Sequence, residues 1–299
     1  MAPRRIARAL LVGLGLVGFA AAHPAVLEGS PDVAARTIAY VTGSSADPLK
    51  HTLDLYRPRA RKDLPVLLFF HGGVWQMGDK AQYRHIGTAF ARRGILTAVV
   101  NYRLTPTVRH PGHIRDAARA VAWAVRHAAE FGGRPDRVFV SGHSAGGHLA
   151  TLLLMDPQYL RAERVDADSL AGVIPLSGVF DLTKPMDDTP QGGAAVYIHP
   201  PFGTDRRGLE AASPIRHVRK TAVPLLVLLA GEDYRAMQGQ SQRFVDALRR
   251  RELTITYEVI DKRGHFELVA GIGTPEDRTT DLIVRFVLGP TAGVPPRPN

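Results

Sequence analysis

A serine set between glycines is the residue of this 299-residue sequence whose surroundings most directly suggest chemistry. Ser144 occupies the G-x-S-x-G pattern of residues 142–146, with β-forming residues before it and an apolar, helix-like run after it. A strand, a G-x-S-x-G sequence and a helix in this order are typical of a nucleophile elbow, a sharp turn that carries a reactive serine. The glycines permit the turn, and the N-terminus of the helix favours negative charge. Because the chain has 29 glycines, the pattern alone is a weak indication. It predicts a nucleophile only if a base and an acid accompany it.

A candidate base and a candidate acid follow later predicted strands. A serine hydroxyl needs a neighbouring base to take its proton, and the base needs an acid to orient it. His265 follows the last predicted strand, and Asp233 follows the strand before it, next to Glu232. Position alone therefore leaves two candidate acids. The predicted catalytic residues are Ser144, His265 and an acid at this place, in the order serine, acid, histidine.

Two glycines after an earlier strand could stabilise the oxyanion of such a reaction. Gly72 and Gly73 follow His71, directly after the apolar run 66–70. Glycines there leave backbone N–H groups free to approach an oxyanion, and the N–H of Ala145 would be their partner. We predict an oxyanion hole from Gly72, Gly73 and Ala145, with His71 as a structural residue of the loop.

Several other side chains are candidates for lining the substrate pocket, since they belong to the same motifs. They are Trp75, Gln76, Asp181 and His143. His143 and His148 resemble a metal-binding pair, but neither an H-E-x-x-H motif nor a carboxylate partner accompanies them. The sequence predicts neither a metal nor a cofactor.

Apolar runs alternate with helical patterns along most of the chain. This alternation, after two strands that could form a hairpin, predicts a mostly parallel eight-stranded sheet with helices on both faces and little or no cap. Residues 178–213 interrupt the rhythm with Pro, Gly and Asp, and we expect them to form a pocket-shaping insertion. The predicted strands are 37–41, 52–56, 66–70, 96–101, 137–140, 172–176, 225–230 and 254–260. The predicted helices are 80–93, 112–131, 144–155, 240–251 and 275–287.

The two ends of the chain differ from its middle. Arginines at positions 4, 5 and 8 precede an apolar stretch that ends in three alanines at 20–22, the pattern of a secretory signal peptide. We predict a signal peptide over 1–22 with cleavage near Ala22, and a periplasmic or secreted protein; retention as a membrane anchor is the alternative. A linker over 23–36, a catalytic domain over 37–288 and a disordered Pro-rich tail over 289–299 complete the predicted organisation.

Composition and charge exclude some functions. The chain has no cysteine, which rules out disulfides, thiol catalysis and cysteine metal sites. Its formal net charge is +10, but the arginines are scattered, so nucleic-acid binding is not expected. The predicted partner is a small-molecule substrate, and nothing in the sequence indicates an oligomeric state.

Together these motifs resemble the α/β-hydrolase superfamily over about residues 37–288, nearest to the carboxylesterase branch with bacterial esterases, isoprenylcysteine methylesterase and kynurenine formamidase. Related esterases place the triad acid a fixed distance before a Gln-Ser-x-x-Phe helix start, and residues 240–244 set that register, which selects Asp233 over Glu232. The motifs that carry the resemblance are Leu53-Asp54-Leu55-Tyr56, His71-Gly72-Gly73-Val74-Trp75-Gln76, Asn101-Tyr102-Arg103-Leu104, Gly142-His143-Ser144-Ala145-Gly146-Gly147, Ser177-Gly178-Val179-Phe180-Asp181-Leu182 and His265-Phe266.

The resemblance implies a serine hydrolase that cleaves carboxylic esters through an acyl-enzyme, with short-chain or aryl esters as substrates. An arylformamidase or related amide hydrolase is the second hypothesis, supported by the residues around His71 and Ser177. A non-catalytic binding protein with the same fold is the third, and a complete set of Ser, Asp and His argues against it.

Overall fold

The computed structural model describes residues 32–59, 61–184 and 193–289. The predicted signal peptide over 1–22 and nearly all of the predicted tail lie outside these residues. No helix of the described residues combines the length and the apolar character that crossing a membrane requires.

The described strands form one eight-stranded sheet in the order β1-β2-β4-β3-β5-β6-β7-β8. Strands β3 to β8 run parallel to one another, whereas β2 pairs antiparallel with both β1 and β4. The mostly parallel sheet with an N-terminal hairpin is therefore confirmed. The strands are β1 Val33–Ala39, β2 Thr52–Pro58, β3 Leu64–Phe70, β4 Leu96–Val100, β5 Gly133–His143, β6 Gly172–Leu176, β7 Leu225–Ala230 and β8 Ile255–Ile260.

Helices cover both faces of this sheet. The α-helices are α1 Arg84–Arg92, α2 Gly112–His127, α3 Ala145–Met155, α4 Gln158–Ala162, α5 Gly193–Tyr197, α6 His199–Phe202, α7 Arg206–Ala211, α8 Arg235–Arg250, α9 Glu267–Ala270 and α10 Arg278–Leu288. Short 3-10 helices occupy Lys80–Tyr83, Ala128–Phe131, Ala167–Ser169 and Pro214–His217.

The core is divided into two layers by the sheet, as the continuous apolar strands require. On β3, Val66 and Leu68 face one layer, which includes buried residues of α2, α3 and α8. Leu67 and Phe69 face the other layer, which includes residues of α1 and α10. Both faces of β3 are thus buried, so this strand lies in the interior of the domain.

Several boundaries differ from the sequence prediction, among them the start of β5, which is Gly133 rather than residue 137, and two others affect the predicted organisation. β1 begins at Val33 rather than at residue 37, because residues 33–36 also pair with β2; they belong to the sheet and not to the predicted linker. α8 begins at Arg235, so Gln240 lies inside the helix and not at its start as predicted. Buried Met237 and Phe244, on either side of Gly239, hold this longer helix against the core.

The described part of the predicted insertion lies over the loop that follows β3. The Gln76 amide nitrogen donates to the Val196 carbonyl in α5 at 2.8 Å. The His110 N–H donates to the Pro201 carbonyl in α6 at 2.9 Å. Phe202 at the end of α6 packs edge-on against Trp75, with ring centroids 4.7 Å apart. The insertion is thereby attached to the loop that carries the predicted oxyanion hole.

Candidate active site

Ser144 lies at the sharp turn between β5, which ends at His143, and α3, which begins at Ala145. Its backbone has φ 54° and ψ −114°, a combination that non-glycine residues rarely adopt. A Cβ atom at Gly146 would lie 2.0 Å from the Phe70 carbonyl oxygen, and one at Gly142 would lie 2.5 Å from Gly146. Only glycine fits on both sides of the serine, which explains the G-x-S-x-G spacing in steric terms.

The strain at Ser144 has a measurable consequence. We expect Ser144→Gly to raise the free energy of unfolding by about 1 kcal/mol. Glycine relieves positive-φ strain of about 1–3 kcal/mol, and its larger conformational entropy in the unfolded chain offsets part of this gain. Urea denaturation measures the change. Ser141→Gly is the matched control: Ser141 lies in β5 and donates to the Ile174 carbonyl, so its replacement should lower stability. Equal destabilisation by both changes would contradict strain at Ser144.

The predicted base and acid are in contact. His265 follows β8, Asp233 follows β7, and His265 Nδ1 lies 2.8 Å from Asp233 Oδ1. Since a carboxylate only accepts, Nδ1 carries the proton, and the Nε2 atom of the neutral imidazole is left to act as a base. The same Oδ1 atom accepts from the Tyr234 N–H at 2.8 Å, and both side chains are nearly buried. The side chain of Glu232, the other candidate acid, is exposed.

Ser144 lies beside this pair, since the preceding residue, His143, packs its ring against His265 with centroids 4.6 Å apart. The Ser144 hydroxyl makes no hydrogen bond to the residues that the structure describes. The hydrogen bond between a nucleophile and its base is often long without substrate and shortens only when substrate binds. The positive end of the α3 dipole lies directly behind the serine, where it favours negative charge.

The glycine loop after β3 approaches Ser144 closely. A Cβ atom at Gly72 would lie 3.4 Å from the Ser144 Cβ. The Gly72 N–H donates to the Tyr83 hydroxyl at 3.3 Å, whereas the amides of Gly73 and Ala145 make no hydrogen bond within the described residues. Of the three predicted oxyanion donors, Gly73 and Ala145 therefore have available N–H groups, and the Gly72 amide already has a partner.

The conformation of this loop is unusual over three consecutive residues. Gly73, Val74 and Trp75 all have positive φ, at 112°, 50° and 58°. A β-branched residue such as Val74 is a genuine outlier there, and such strain is concentrated at functional sites. His71 stabilises the base of the loop: it is fully buried, stacks on Tyr102 at 4.5 Å, and burial lowers its pKa to about 4.

The four predicted pocket residues make contacts with different parts of the structure. Trp75 is 1% exposed and packs edge-on against His148 at 4.9 Å, while Gln76 contacts the insertion as described above. Asp181 accepts from the Thr183 N–H and hydroxyl, so its carboxylate is bound within its own turn. His143 is the member of the set that contacts the predicted base.

The described residues contain no group of three or more potential metal ligands. His143 Nε2 donates to the His265 carbonyl at 2.9 Å, and His148 Nε2 donates to the Ala212 carbonyl at 2.8 Å. The two Nε2 atoms thus donate to carbonyls of different segments, and the two Nδ1 atoms have no hydrogen-bond partner among the described residues.

Two residues near the site, Tyr83 and Gln240, are not among the predicted site residues. The Tyr83 hydroxyl accepts from the Gly72 amide. Gln240 holds the loop after β6, since its Oε1 accepts from the N–H groups of Phe180 and Asp181 at 2.9 and 3.0 Å. The Gln-Ser-x-x-Phe motif is the signal that could have identified Gln240. Nothing in the local sequence indicates the role of Tyr83.

The sheet order, with a strained serine at the end of β5 and a His–Asp pair after β7 and β8, defines the chain as an α/β-hydrolase. Residues 53–248 match the family model BD-FAE. The match covers more than half of the sequence, and the chain belongs to the BD-FAE family.

Two solved esterases resemble this chain over most of its length. Esterase B from Lactobacillus Rhamnosis superposes with a TM-score of 0.74 at 25% identity, covering 87% of this chain and 86% of that one. Esterase 2 from Thermogutta terrifontis, in a form phosphonylated by sarin, superposes with a TM-score of 0.72 at 25% identity, covering 85% and 94%. The α/β-hydrolase fold is thereby confirmed.

Curated relatives also match, over part of their own length. The probable carboxylic ester hydrolase LipM of Mycobacterium tuberculosis is 34% identical over 66% of this chain and 48% of its own length. The probable isoprenylcysteine alpha-carbonyl methylesterase ICMEL1 of Oryza sativa subsp. japonica is 29% identical over 73% and 55%. The chain thus spans about half the length of the curated relatives it matches.

Proposed function

We propose that this chain is a serine hydrolase that cleaves carboxylic esters of short-chain acids or aryl groups through an acyl-enzyme. The observation that carries the proposal is the buried hydrogen bond between His265 and Asp233 beside a serine in a strained elbow. The names of the relatives support it, since LipM is described as a probable carboxylic ester hydrolase and both solved neighbours as esterases.

The reaction follows from the position of each group. His265 Nε2 takes the proton of the Ser144 hydroxyl as Oγ attacks the ester carbonyl, and Asp233 stabilises the imidazolium that forms. The N–H groups of Gly73 and Ala145 donate to the oxyanion of the tetrahedral intermediate. His265 returns the proton to the leaving alcohol, and a water molecule activated by the same histidine releases the acid from Ser144.

The surface around the site supports an apolar substrate. Three of the five exposed large hydrophobic side chains among the described residues are attached to site loops: Met77, Val196 and Phe266. Met77 contacts the turn at Gly73, Val196 accepts from Gln76, and Phe266 follows His265 with its ring 5.2 Å away. Exposed apolar groups at a site are typical of ligand-contacting surfaces. They favour esters with apolar or aryl groups over highly charged ones.

Phe266 gives the test of this substrate class. Because His265 protonates the leaving alcohol, a ring beside it should contact that part of the ester. We expect Phe266→Ala to lower kcat/KM for phenyl acetate by about 5- to 30-fold, the equivalent of about 1–2 kcal/mol of apolar contact, and to affect methyl acetate much less. The control is Val259→Ala, an exposed apolar residue of β8 outside the site. Equal losses on both esters would contradict the proposed contact.

Amide hydrolysis is the second candidate reaction, because the same groups can also cleave a formamide. Steady-state kinetics with N-formylkynurenine and with short p-nitrophenyl esters distinguish the two reactions. We expect the higher kcat/KM with the esters; preference for N-formylkynurenine would identify an arylformamidase instead. Failure of a fluorophosphonate to label Ser144 would support the non-catalytic alternative.

We also propose that residues 1–22 direct export to the periplasm or the medium. The proposal rests on the arginines and the apolar stretch that ends at Ala22. N-terminal sequencing of the protein recovered after expression in a bacterium tests it. We expect the recovered chain to start near residue 23, and a cytoplasmic protein that keeps Met1 would contradict export.

A further inference from the structure

His143 is a second histidine at the site, and the proposed reaction does not use it. Its side chain is fully buried at the end of β5, one residue before the elbow serine. Its Nε2 donates to the backbone carbonyl of His265 at 2.9 Å, and the two rings lie 4.6 Å apart. This hydrogen bond joins two residues 122 positions apart in the sequence. It connects the end of β5 with the loop after β8, although β6 and β7 lie between these two strands in the sheet.

The backbone carbonyls of Gly264 and Phe266, on either side of His265, accept from N–H groups of α9, whereas the His265 carbonyl has a different kind of partner. The residue lies in a loop between β8 and the short helix α9, outside regular secondary structure. Among the described residues, the hydrogen bond to its carbonyl comes from His143 alone. Asp233 holds the imidazole at Nδ1. The side chain and the backbone of the predicted base are thus fixed by two different residues.

The protonation state of His143 follows from its partner. A carbonyl oxygen only accepts, so Nε2 carries the proton, and Nδ1 has no hydrogen-bond partner in the described residues. Burial lowers the pKa of His143 well below its ordinary value, and the nearby His265 lowers it further. A neutral ring at this place does not repel the imidazolium that forms on His265 during the reaction.

His143 also abuts the oxyanion loop. A Cβ atom at Gly72 would lie 2.9 Å from His143 Nδ1, closer than real Cβ atoms come to such neighbours. The ring therefore fills the space between the glycine loop and His265, and it leaves room for no side chain at position 72. One residue contacts the loop that carries the oxyanion donors and the loop that carries the base.

We propose that His143 is a positioning residue, whose Nε2–H group holds the backbone of His265 so that the imidazole keeps its place between Ser144 and Asp233. The inference rests on the proposed function in taking His265 as the base. It assigns His143 to the support of the triad, whereas the sequence suggested that it lines the substrate pocket. A displacement of a catalytic group by about 1 Å can cost about 100-fold in rate, so such support has a large kinetic effect.

The test compares two substitutions that differ in the donor. His143→Leu removes the donor at similar volume, and we expect it to lower kcat for p-nitrophenyl acetate by about 10- to 100-fold with little change in KM. His143→Gln can place an amide N–H near the former Nε2 position, and we expect it to retain most of the activity. If His143→Leu does not fold, His143→Asn takes its place, because its shorter amide cannot reach the carbonyl.

A matched control separates positioning from simple packing. His148 is likewise fully buried, donates from Nε2 to a carbonyl, that of Ala212, and has its pKa lowered by burial, to about 3. Its hydrogen bond fixes the residues after α7 and does not reach His265. We expect His148→Leu to lower the thermal midpoint about as much as His143→Leu, and to keep the rate of labelling by a fluorophosphonate within about threefold of the original.

The proton on His265 Nδ1 supplies a readout that does not depend on substrate. In proton NMR it gives a far-downfield resonance while it bonds to Asp233. We expect this resonance to shift or broaden in His143→Leu and to persist in His143→Gln and His148→Leu. A rise in KM at constant kcat, or equal impairment in His143→Leu and His143→Gln, would overturn the proposal. If the unsubstituted protein hydrolysed no ester, the proposed function would fail, and the resonance would still decide the role of His143.

Discussion

Replacing Ser144 by alanine should lower kcat for ester hydrolysis by about 10⁴- to 10⁶-fold, because no other group can form the acyl-enzyme. The fold should persist, since the hydroxyl makes no hydrogen bond to the described residues and alanine keeps the Cβ atom. Initial rates with p-nitrophenyl acetate measure the loss, and circular dichroism measures the fold. Labelling by a fluorophosphonate should disappear at the same time.

Ser141 provides the control for this experiment. It is a buried serine of β5, three residues before Ser144, and its hydroxyl donates to the Ile174 carbonyl at 2.7 Å. Ser141→Ala should cost about 1 kcal/mol of stability through the lost hydrogen bond and leave kcat nearly unchanged. Activity that survives in Ser144→Ala would rule out Ser144 as the nucleophile.

The second large effect is expected at the acid. Asp233→Asn should lower kcat by about 10⁴-fold, since an amide that donates to His265 Nδ1 forces the proton onto Nε2, where the base must be free. Binding should change little, so the loss should be found in kcat rather than in KM. A pH–rate profile of the variant, measured with the same ester, checks that the loss persists over the working range.

Glu232 is the matched control, since it is the adjacent carboxylate and the other candidate acid in the sequence. Its side chain is exposed, whereas Asp233 Oδ1 lies 2.8 Å from His265 Nδ1. Glu232→Gln should therefore keep kcat within about threefold, because solvent screens the charge of an exposed carboxylate from the buried His265–Asp233 hydrogen bond. A larger loss in Glu232→Gln than in Asp233→Asn would assign the acid to Glu232 and contradict the observed contact.

Most of the fold could be predicted because it depends on short-range patterns. Apolar runs such as 66–70 and 225–230 become interior strands, since a strand with helices on both faces must be apolar on both faces. Helix starts were harder to predict. The pattern before Gln240 contains Gly239, yet packing of Met237 and Phe244 against the core extends α8 back to Arg235. Tertiary contacts there override a local preference.

The sequence by itself determined the residue types that can do chemistry and the strand ends that carry them. Ser144, Asp233 and His265 each follow a strand, and neighbouring parallel strands end at one edge of the sheet. Parallel order alone therefore predicts that they lie near one another. The G-x-S-x-G spacing could also be recognised from the sequence, because the absence of room for a Cβ atom at Gly142 and Gly146 is a local property of the turn.

Only the tertiary structure decided how these groups are paired. It placed Asp233 rather than Glu232 against His265, joined the Gly72 amide to the Tyr83 hydroxyl, and brought His143 to the His265 carbonyl. Such choices depend on which atoms of distant segments come within about 3 Å of each other. Local sequence patterns specify faces and turns, whereas hydrogen-bond partners are set by the packing of whole elements.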